Sequence, residues 1–220
     1  MSVLEYILCG TAAMLIPICL QSLWYRFPLW KSLILTVVLT IVGTLGTKLM
    51  CFVELGSFIS ISFYGAVFFV PVAFYYLCKW TKQPYETVLD LCAPAECAML
   101  VVMKMQCLNF GCCAGRIISA DDFGVVTRFP SQMAELINAA VLCVILLVLS
   151  VFKKFRGKIF YLYLILYGIT RFFLNTQREN QDHFLVGLPA GGFWSVCAVA
   201  LGVWLFMKAN KAQKSQLISQ

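Results

Sequence analysis

The sequence predicts an all-α, polytopic membrane bundle of about seven transmembrane helices, and three observations carry that reading. The chain is 61% hydrophobic and only 12% charged over 220 residues, with a mean hydropathy of +0.87, far more apolar than a soluble domain. Its apolar residues gather into runs at 6–24, 33–53, 61–78, 86–106, 134–152, 159–175 and 189–207, each long enough to cross a hydrocarbon core of about 30 Å as a helix. The cations between the runs alternate. Arg26 and Lys31, then Lys79 and Lys82, then Lys153, Lys154, Arg156 and Lys158, then Lys208, Lys211 and Lys214 occupy every second connection and the tail. By the positive-inside rule these face the cytoplasm, so the N-terminus and the connection after the fourth run face outward. The net charge of +7 is then mostly a topology signal, and nucleic-acid binding is not needed to explain it.

No internal repeat, low-complexity stretch or long linker divides the chain, which reads as a single domain over residues 1–220. The first run follows no basic segment and ends in Leu23-Trp24-Tyr25-Arg26 rather than a small-residue cleavage site, so it reads as a retained helix. The second carries Thr40, Thr44 and Lys48 four apart on one face. Lys48 there either snorkels to the interface or joins a polar site. In the third, Gly65 and Ala66 allow a neighbouring helix to approach closely, and Tyr64, taken alone, reads as an interfacial belt aromatic. The fourth contains Asp90, Glu96 and Lys104. Glu96 falls near mid-bilayer and must face the interior, either as a packing hydrogen-bonder or as a proton relay.

The longest connection, 111–133, lies outside and has Asp121, Asp122 and Gly124 as turn formers. It ends in Arg128-Phe129-Pro130-Ser131-Gln132, with Pro130 suited to a first helical turn whose free N–H groups favour an anion. Glu135 lies one turn inside the fifth run. The sixth run and its extension place Tyr167, Arg171, Asn175 and Arg178 at spacings of four, four and three, within about 80° of one helical face. Lys48, Lys104, Arg128, Arg171 and Arg178 thus all fall on the side that the positive-inside bias should deplete. They are balanced either by internal pairs such as Arg128 with Glu135, with Glu54, Glu179, Asp121, Asp122 and Asp182 also near, or by an anionic ligand. Two guanidiniums and an ammonium at headgroup depth suit a phosphate.

These motifs resemble those of the bacterial phosphatidylglycerol–prolipoprotein diacylglyceryl transferases. KMQCLNFGCCAG at 104–115 is similar to the family's signature, which begins with Arg; RFPSQMAE at 128–135 to its RHPTQLYE; YGITRFFLNTQR at 167–178 to its YGxxRFxxExxR; SFYGA at 62–66 to its SFHGG; and Asp90-Leu91-Cys92-Ala93-Pro94 to its D-x-x-A-P. The resemblance covers roughly residues 60–205. It implies a bacterial inner-membrane enzyme that moves the diacylglyceryl group of phosphatidylglycerol onto the lipobox cysteine thiol of an exported prolipoprotein, releasing glycerol phosphate, with no cofactor and no nucleic acid. It also implies substrate-binding roles for Lys104, Arg128, Gln132, Arg171, Asn175 and Arg178, and makes Tyr64, Tyr167 and Glu135 the groups to consider for proton handling. Lys104 stands where the family has Arg, Tyr64 where it has His, Phe129 where it has a second His, and Asn175 where it has Glu, so the flanking arginines lose an expected counter-ion. The outer loop is also short. These departures keep a second reading open, a specialised or inactive headgroup-binding protein of the same fold. Most of the eleven cysteines lie inside apolar runs as small hydrophobes. Cys107, Cys112 and Cys113 cluster, but the resemblance implies no metal for them, since similar CxxxxCC forms occur in the family; a metal there also lacks a fourth soft ligand, with the lone His183 elsewhere, and adjacent cysteines without a C-x-x-C disfavour thiol redox chemistry.

Overall fold

A computed structural model describes residues 3–120, 126–179, 183–185 and 187–218. Its seven helices are α1 (Val3–Tyr25), α2 (Leu29–Leu55), α3 (Tyr64–Thr81), α4 (Tyr85–Phe110), α5 (Ser131–Val151), α6 (Ile159–Asn175) and α7 (Ala190–Ile218). All seven apolar runs become helices, and α6 matches its run residue for residue. Among the described residues, α1, α2, α5 and α7 are long and apolar enough to cross a membrane on length and composition alone, and α6 is a shorter apolar helix. The fold is a multi-pass membrane bundle. The expected turn formers Asp121, Asp122 and Gly124, and Asp182, lie outside the described residues.

The bundle is apolar outside and mixed within. Along α2, Leu33, Val37, Ile41, Leu45 and Leu49 recur every fourth residue and are exposed, a lipid-facing stripe. The opposite face buries Ser32, Thr36 and Thr47 and hydrogen-bonds its neighbour: Ser32 Oγ lies 2.6 Å from Ser22 Oγ, and Thr40 Oγ1 3.2 Å from Thr11 Oγ1. In lipid such groups have no water to fall back on, so they hold helices together. Where α2 meets α3, a Cβ at Gly46 would stand 2.7 Å from the Gly65 carbonyl oxygen, so glycine at both positions lets the backbones touch. This is the close approach expected at Gly65. A Cβ at Gly168 would similarly meet the Ser195 carbonyl at 2.8 Å, which seats α6 on α7.

Helix α4 is the interior element. Residues 88–97 are buried without a break, and α1, α3, α5 and α6 pack around it. Near its start, Asp90, 1% exposed, accepts from Tyr25 Oη at 2.8 Å and from the backbone N–H groups of Gly157 at 2.5 Å and Ile159 at 2.9 Å. One carboxylate thereby ties the end of α1 and the start of α6 to α4, satisfying helix-terminal donors that lack partners of their own. At this same end, Lys158 Nζ donates to Asn210 Oδ1 and Gln213 Oε1 on α7.

The polar connection expected as a loop is more ordered. Strands β1 (Ile117–Ala120) and β2 (Val126–Arg128) form an antiparallel hairpin, and β3 (His183–Leu185) pairs with β4 (Leu188–Pro189) ahead of α7. The alternation that favours strands spans too few residues there to stand out beside the helical runs.

Candidate active site

The C-terminal ends of α4 and α6 meet the N-terminal ends of α3, α5 and α7, and the expected site residues collect at these ends. The centre is Glu135, one turn into α5 and 4% exposed. Lys104 Nζ approaches its Oε2 at 2.5 Å, Arg171 Nη1 its Oε1 at 2.6 Å, and Arg178 Nε donates to Oε1 at 2.7 Å with Nη2 3.3 Å from Oε2. The Arg171 contact is an ion pair by distance, without hydrogen-bond alignment. The carboxylate accepts two hydrogen bonds from Arg178 and is flanked by the Lys104 and Arg171 ion pairs, so charged donors surround both of its oxygens. At ion-pair distance three cations therefore share one anion, an excess of two positive charges within that cluster in a largely buried setting, with Glu54 acting on Arg171 from further off.

Local structure explains the convergence. Lys104 and Arg171 project from α4 and α6. Arg178 lies beyond the end of α6, which stops at Asn175, so the single helical face expected over 167–178 continues as a turn closed by Arg178 N–H to Asn175 O at 3.1 Å. That turn is zipped to the chain leaving α4 by a Gly115–Arg178 bridge and by Arg116 N–H to Gln177 O at 2.8 Å. Gln132 Nε2 donates to Cys112 O at 2.6 Å, and Ser131 Oγ to Cys113 O at 2.6 Å. Gln132 thus anchors the loop that frames the cations. Beside Arg178, the Cys113 thiol is held below the ordinary thiol range, chiefly by its hydrogen bond with Cys107 and further by the Arg178 and Lys104 charges.

Two expected members stand apart from Glu135. Arg128, on exposed β2, pairs with Glu179 rather than Glu135 and also reaches Gly115 O at 3.3 Å. Lys48 donates to the carbonyls of Phe58 at 2.8 Å and Ser60 at 3.3 Å, so it caps the loop into α3. Five cations on one side of a linear sequence do not make one cluster, because Lys48 and Arg128 are taken up by partners of their own.

Tyr64 is not a belt residue. It is 3% exposed and its Oη lies 2.6 Å from Ser195 Oγ, which in turn donates to Gly191 O at 2.6 Å. Ser195 has one proton and it is engaged, so Tyr64 donates. The Tyr64 and Tyr167 rings pack with centroids 5.6 Å apart, and Tyr167 packs equally on Phe63 and Tyr163. Asn175, also buried, fills the space against Gly191, where a Cβ would meet its Oδ1 at 2.6 Å. The counter-ion expected to be missing for want of an acidic residue at 175 is supplied from another helix by Glu135. Ser195 is the member that sequence reasoning missed. Its only signal is a lone hydroxyl four residues after Gly191 in an apolar run.

A cavity of about 360 Å³ lies among α1–α4, lined by Thr40, Thr44, Lys48, Glu96, Met99 and Gln106 among others. Thr40, Thr44 and Lys48 share this wall, as their spacing requires. Glu96, 3% exposed, faces the Tyr163 hydroxyl, but neither group reaches hydrogen-bond geometry among the described residues.

These features define a multi-pass membrane protein whose helix ends build an enclosed, cation-rich site around a single carboxylate. The sequence matches the profile of the prolipoprotein diacylglyceryl transferases over residues 3–208, and the chain belongs to that family. It is 28% identical over 180 residues to the phosphatidylglycerol–prolipoprotein diacylglyceryl transferase of Campylobacter hominis, covering 73% of this chain and 61% of that protein. With the enzymes of the same name from Campylobacter curvus and Geobacter sulfurreducens it shares 30% identity over 179 and 139 residues, which cover 70% and 60% of this chain and 62% and 53% of theirs. The chain spans about three fifths of the length of the Campylobacter relatives.

Proposed function

We propose that this protein transfers the diacylglyceryl group of phosphatidylglycerol to the lipobox cysteine thiol of an exported prolipoprotein. The observation that carries the reading is the excess of two positive charges around Glu135. Displacement at the glycerol carbon of the donor forms a C–S bond and breaks the C–O bond to phosphate, so negative charge builds on the departing glycerol phosphate. Cations fixed in advance stabilise that charge without reorganising. Lys104, Arg171 and Arg178 hold the phosphate, and Glu135 is a positioning residue. Its oxygens are already engaged by cationic donors, which leaves none directed at an incoming thiol. Arg128 sits at the rim, Gln132 and Asn175 shape the site, and Tyr64 and Tyr167 form its aromatic wall. The cavity among α1–α4, whose lining also includes Met14, Leu39, Ile59, Phe63 and Val102, offers room for part of an acyl chain. The cation pattern supports an N-terminus outside and a C-terminus in the cytoplasm, with the site at the outer face of a bacterial cell membrane, and the whole chain acting as one domain.

Complementation tests the reading. The chain is expressed in bacteria depleted of their own transferase, and a reporter prolipoprotein is followed by mass spectrometry. The expected result is a diacylglyceryl mass on the lipobox cysteine that disappears in Arg171→Ala. Good membrane expression with an unmodified reporter would refute it and favour a headgroup-binding protein of the same fold.

A further inference from the structure

The chain leaving α4 carries a constellation that the proposed phosphate site does not use. The Sγ atoms of Cys107, Cys112 and Cys113 all lie within 4.8 Å of one another, and all three cysteines are free. Their meeting is built by the backbone. Cys107 lies in the last turn of α4, which ends at Phe110. Gly111 (φ 65°) and Cys113 (φ 61°) then turn the chain in left-handed conformations. The Cys112 thiol is directed back at the Cys107 carbonyl, 3.9 Å away. The carbonyls of Cys112 and Cys113 are pinned from α5 by Gln132 and Ser131, so the loop is fixed by its backbone while its sulfurs remain available to a ligand.

We propose that Cys107, Cys112 and Cys113 form a three-thiolate site for a thiophilic d¹⁰ cation, Zn²⁺, with its fourth coordination position open. Tetrahedral zinc with Zn–S bonds of about 2.3 Å separates its sulfurs by about 3.8 Å, within about 1 Å of the observed spread, a change that thiol rotamers absorb. Three soft donors exclude Mg²⁺ and Ca²⁺, which take oxygen. Among the described residues no fourth ligand joins them, which counts against a structural zinc site and is the normal state of one that binds an exogenous ligand.

Resting on the transferase reading, the exogenous ligand is the acceptor cysteine. It binds zinc as a thiolate and releases its proton to solvent. Its sulfur then forms the C–S bond to the glycerol carbon as the C–O bond breaks, and glycerol phosphate leaves with the electron pair. The metal changes no oxidation state.

The test uses the full chain, purified in detergent, reduced and stripped with a chelator. Zn²⁺ alone is titrated against a chromophoric chelator, and Co²⁺ is added separately as a spectroscopic probe. One ion per chain and a thiolate-to-cobalt charge-transfer band are expected. In Cys112→Ser affinity should fall by more than the roughly 10–100-fold that loss of an outer-shell partner costs, while Cys9→Ser leaves it unchanged. Equal zinc binding by the wild type and a helical, folded C107S/C112S/C113S variant would overturn the site, as would a cobalt spectrum without the charge-transfer band. A cobalt spectrum altered by a lipobox thiol peptide, but not by its serine analogue, supports the open position. Full transfer by the triple variant would overturn the metal's part and leave the transferase reading standing. Metal binding without transfer would do the reverse.

Discussion

Replacing Glu135 by Gln isolates the electrostatic centre of the site, because the side chain keeps its size and loses its charge. In the native protein one carboxylate, 4% exposed, serves three cations whose side chains are only 11%, 13% and 18% exposed. Removing one partner of a buried pair costs about 3–5 kcal/mol, mostly because the other charge is left without compensation. Here three charges are left, and they repel each other. A loss of about 4 kcal/mol is a large part of a total stability of about 5–15 kcal/mol. The assay is the unfolding of purified chain from mixed micelles with increasing SDS, followed by helical circular dichroism. Pairing the change with Arg171→Met, and separately with Lys104→Met, should recover part of the loss, since each second change removes a stranded charge. Coupling energies within the range of about 0.5–3 kcal/mol are expected for groups in contact. A Glu135→Gln variant within about 1 kcal/mol of wild type, or couplings below about 0.5 kcal/mol, would refute Glu135 as the organiser of the cations.

Asp90→Asn should cost about 1–3 kcal/mol for each donor left unsatisfied among Tyr25, Gly157 and Ile159, read by the same unfolding assay, with Tyr25→Phe costing less. Gly65→Leu should abolish folded expression because its side chain would fill the contact with Gly46, whereas Gly43→Ala, where a Cβ would stand 3.8 Å from Ala66 Cβ, should behave as wild type; protease resistance in membranes separates the two. Tyr64→Phe removes one hydrogen bond and should cost about 1 kcal/mol, whereas Ser195→Ala also removes the bond to Gly191 O and strands the Tyr64 hydroxyl, so it should cost more, about 1–3 kcal/mol; transfer should survive in both, and its loss in a stable Tyr64→Phe would return Tyr64 to proton handling. Glu96→Leu should be stabilising by about 1–3 kcal/mol, since among the described residues both carboxylate oxygens are buried without a hydrogen bond; a destabilised variant would show that Glu96 has a partner in the membrane.

Hydropathy made the helices legible because lipid exposure leaves its mark residue by residue. The stripe from Leu33 to Leu49 is a local property of α2, and so is the spacing of Tyr167, Arg171 and Asn175 on α6. The site was legible as a set of residues, from cation counts and motifs, but not as contacts. Five cations could be counted on one side, but which of them met was decided by how five helix ends pack. Arg128, seven residues before Glu135, is an obvious partner in sequence and belongs instead with Glu179, because the β1–β2 hairpin carries it outward. Asp90 was visible as part of a motif, yet its hydrogen bonds reach residues more than sixty positions away. No period or spacing contains that information. Tyr64 shows the same limit, since an aromatic at a helix start looks interfacial until Ser195 arrives from α7 to bury it.

A site for a phosphate that contains a carboxylate needs a reason, and the charge change of the proposed reaction supplies one. Without Glu135 the three cations would repel one another, and each would find its own position. With it they are held on one centre, and the excess is two positive charges. The donor phosphodiester carries a single negative charge, whereas departing glycerol phosphate approaches two, as phosphate monoesters do. The excess therefore matches the charge present late in the reaction better than that of the bound donor. Only an interaction that is stronger in the transition state than in the ground state accelerates a reaction. On the proposed function, Glu135 acts at a distance from the reacting bonds, by fixing both the number and the position of the charges that the departing phosphate meets. Removing the carboxylate should then strengthen the hold on any anion while slowing transfer, a split between binding and turnover that simple loss of a cation does not produce.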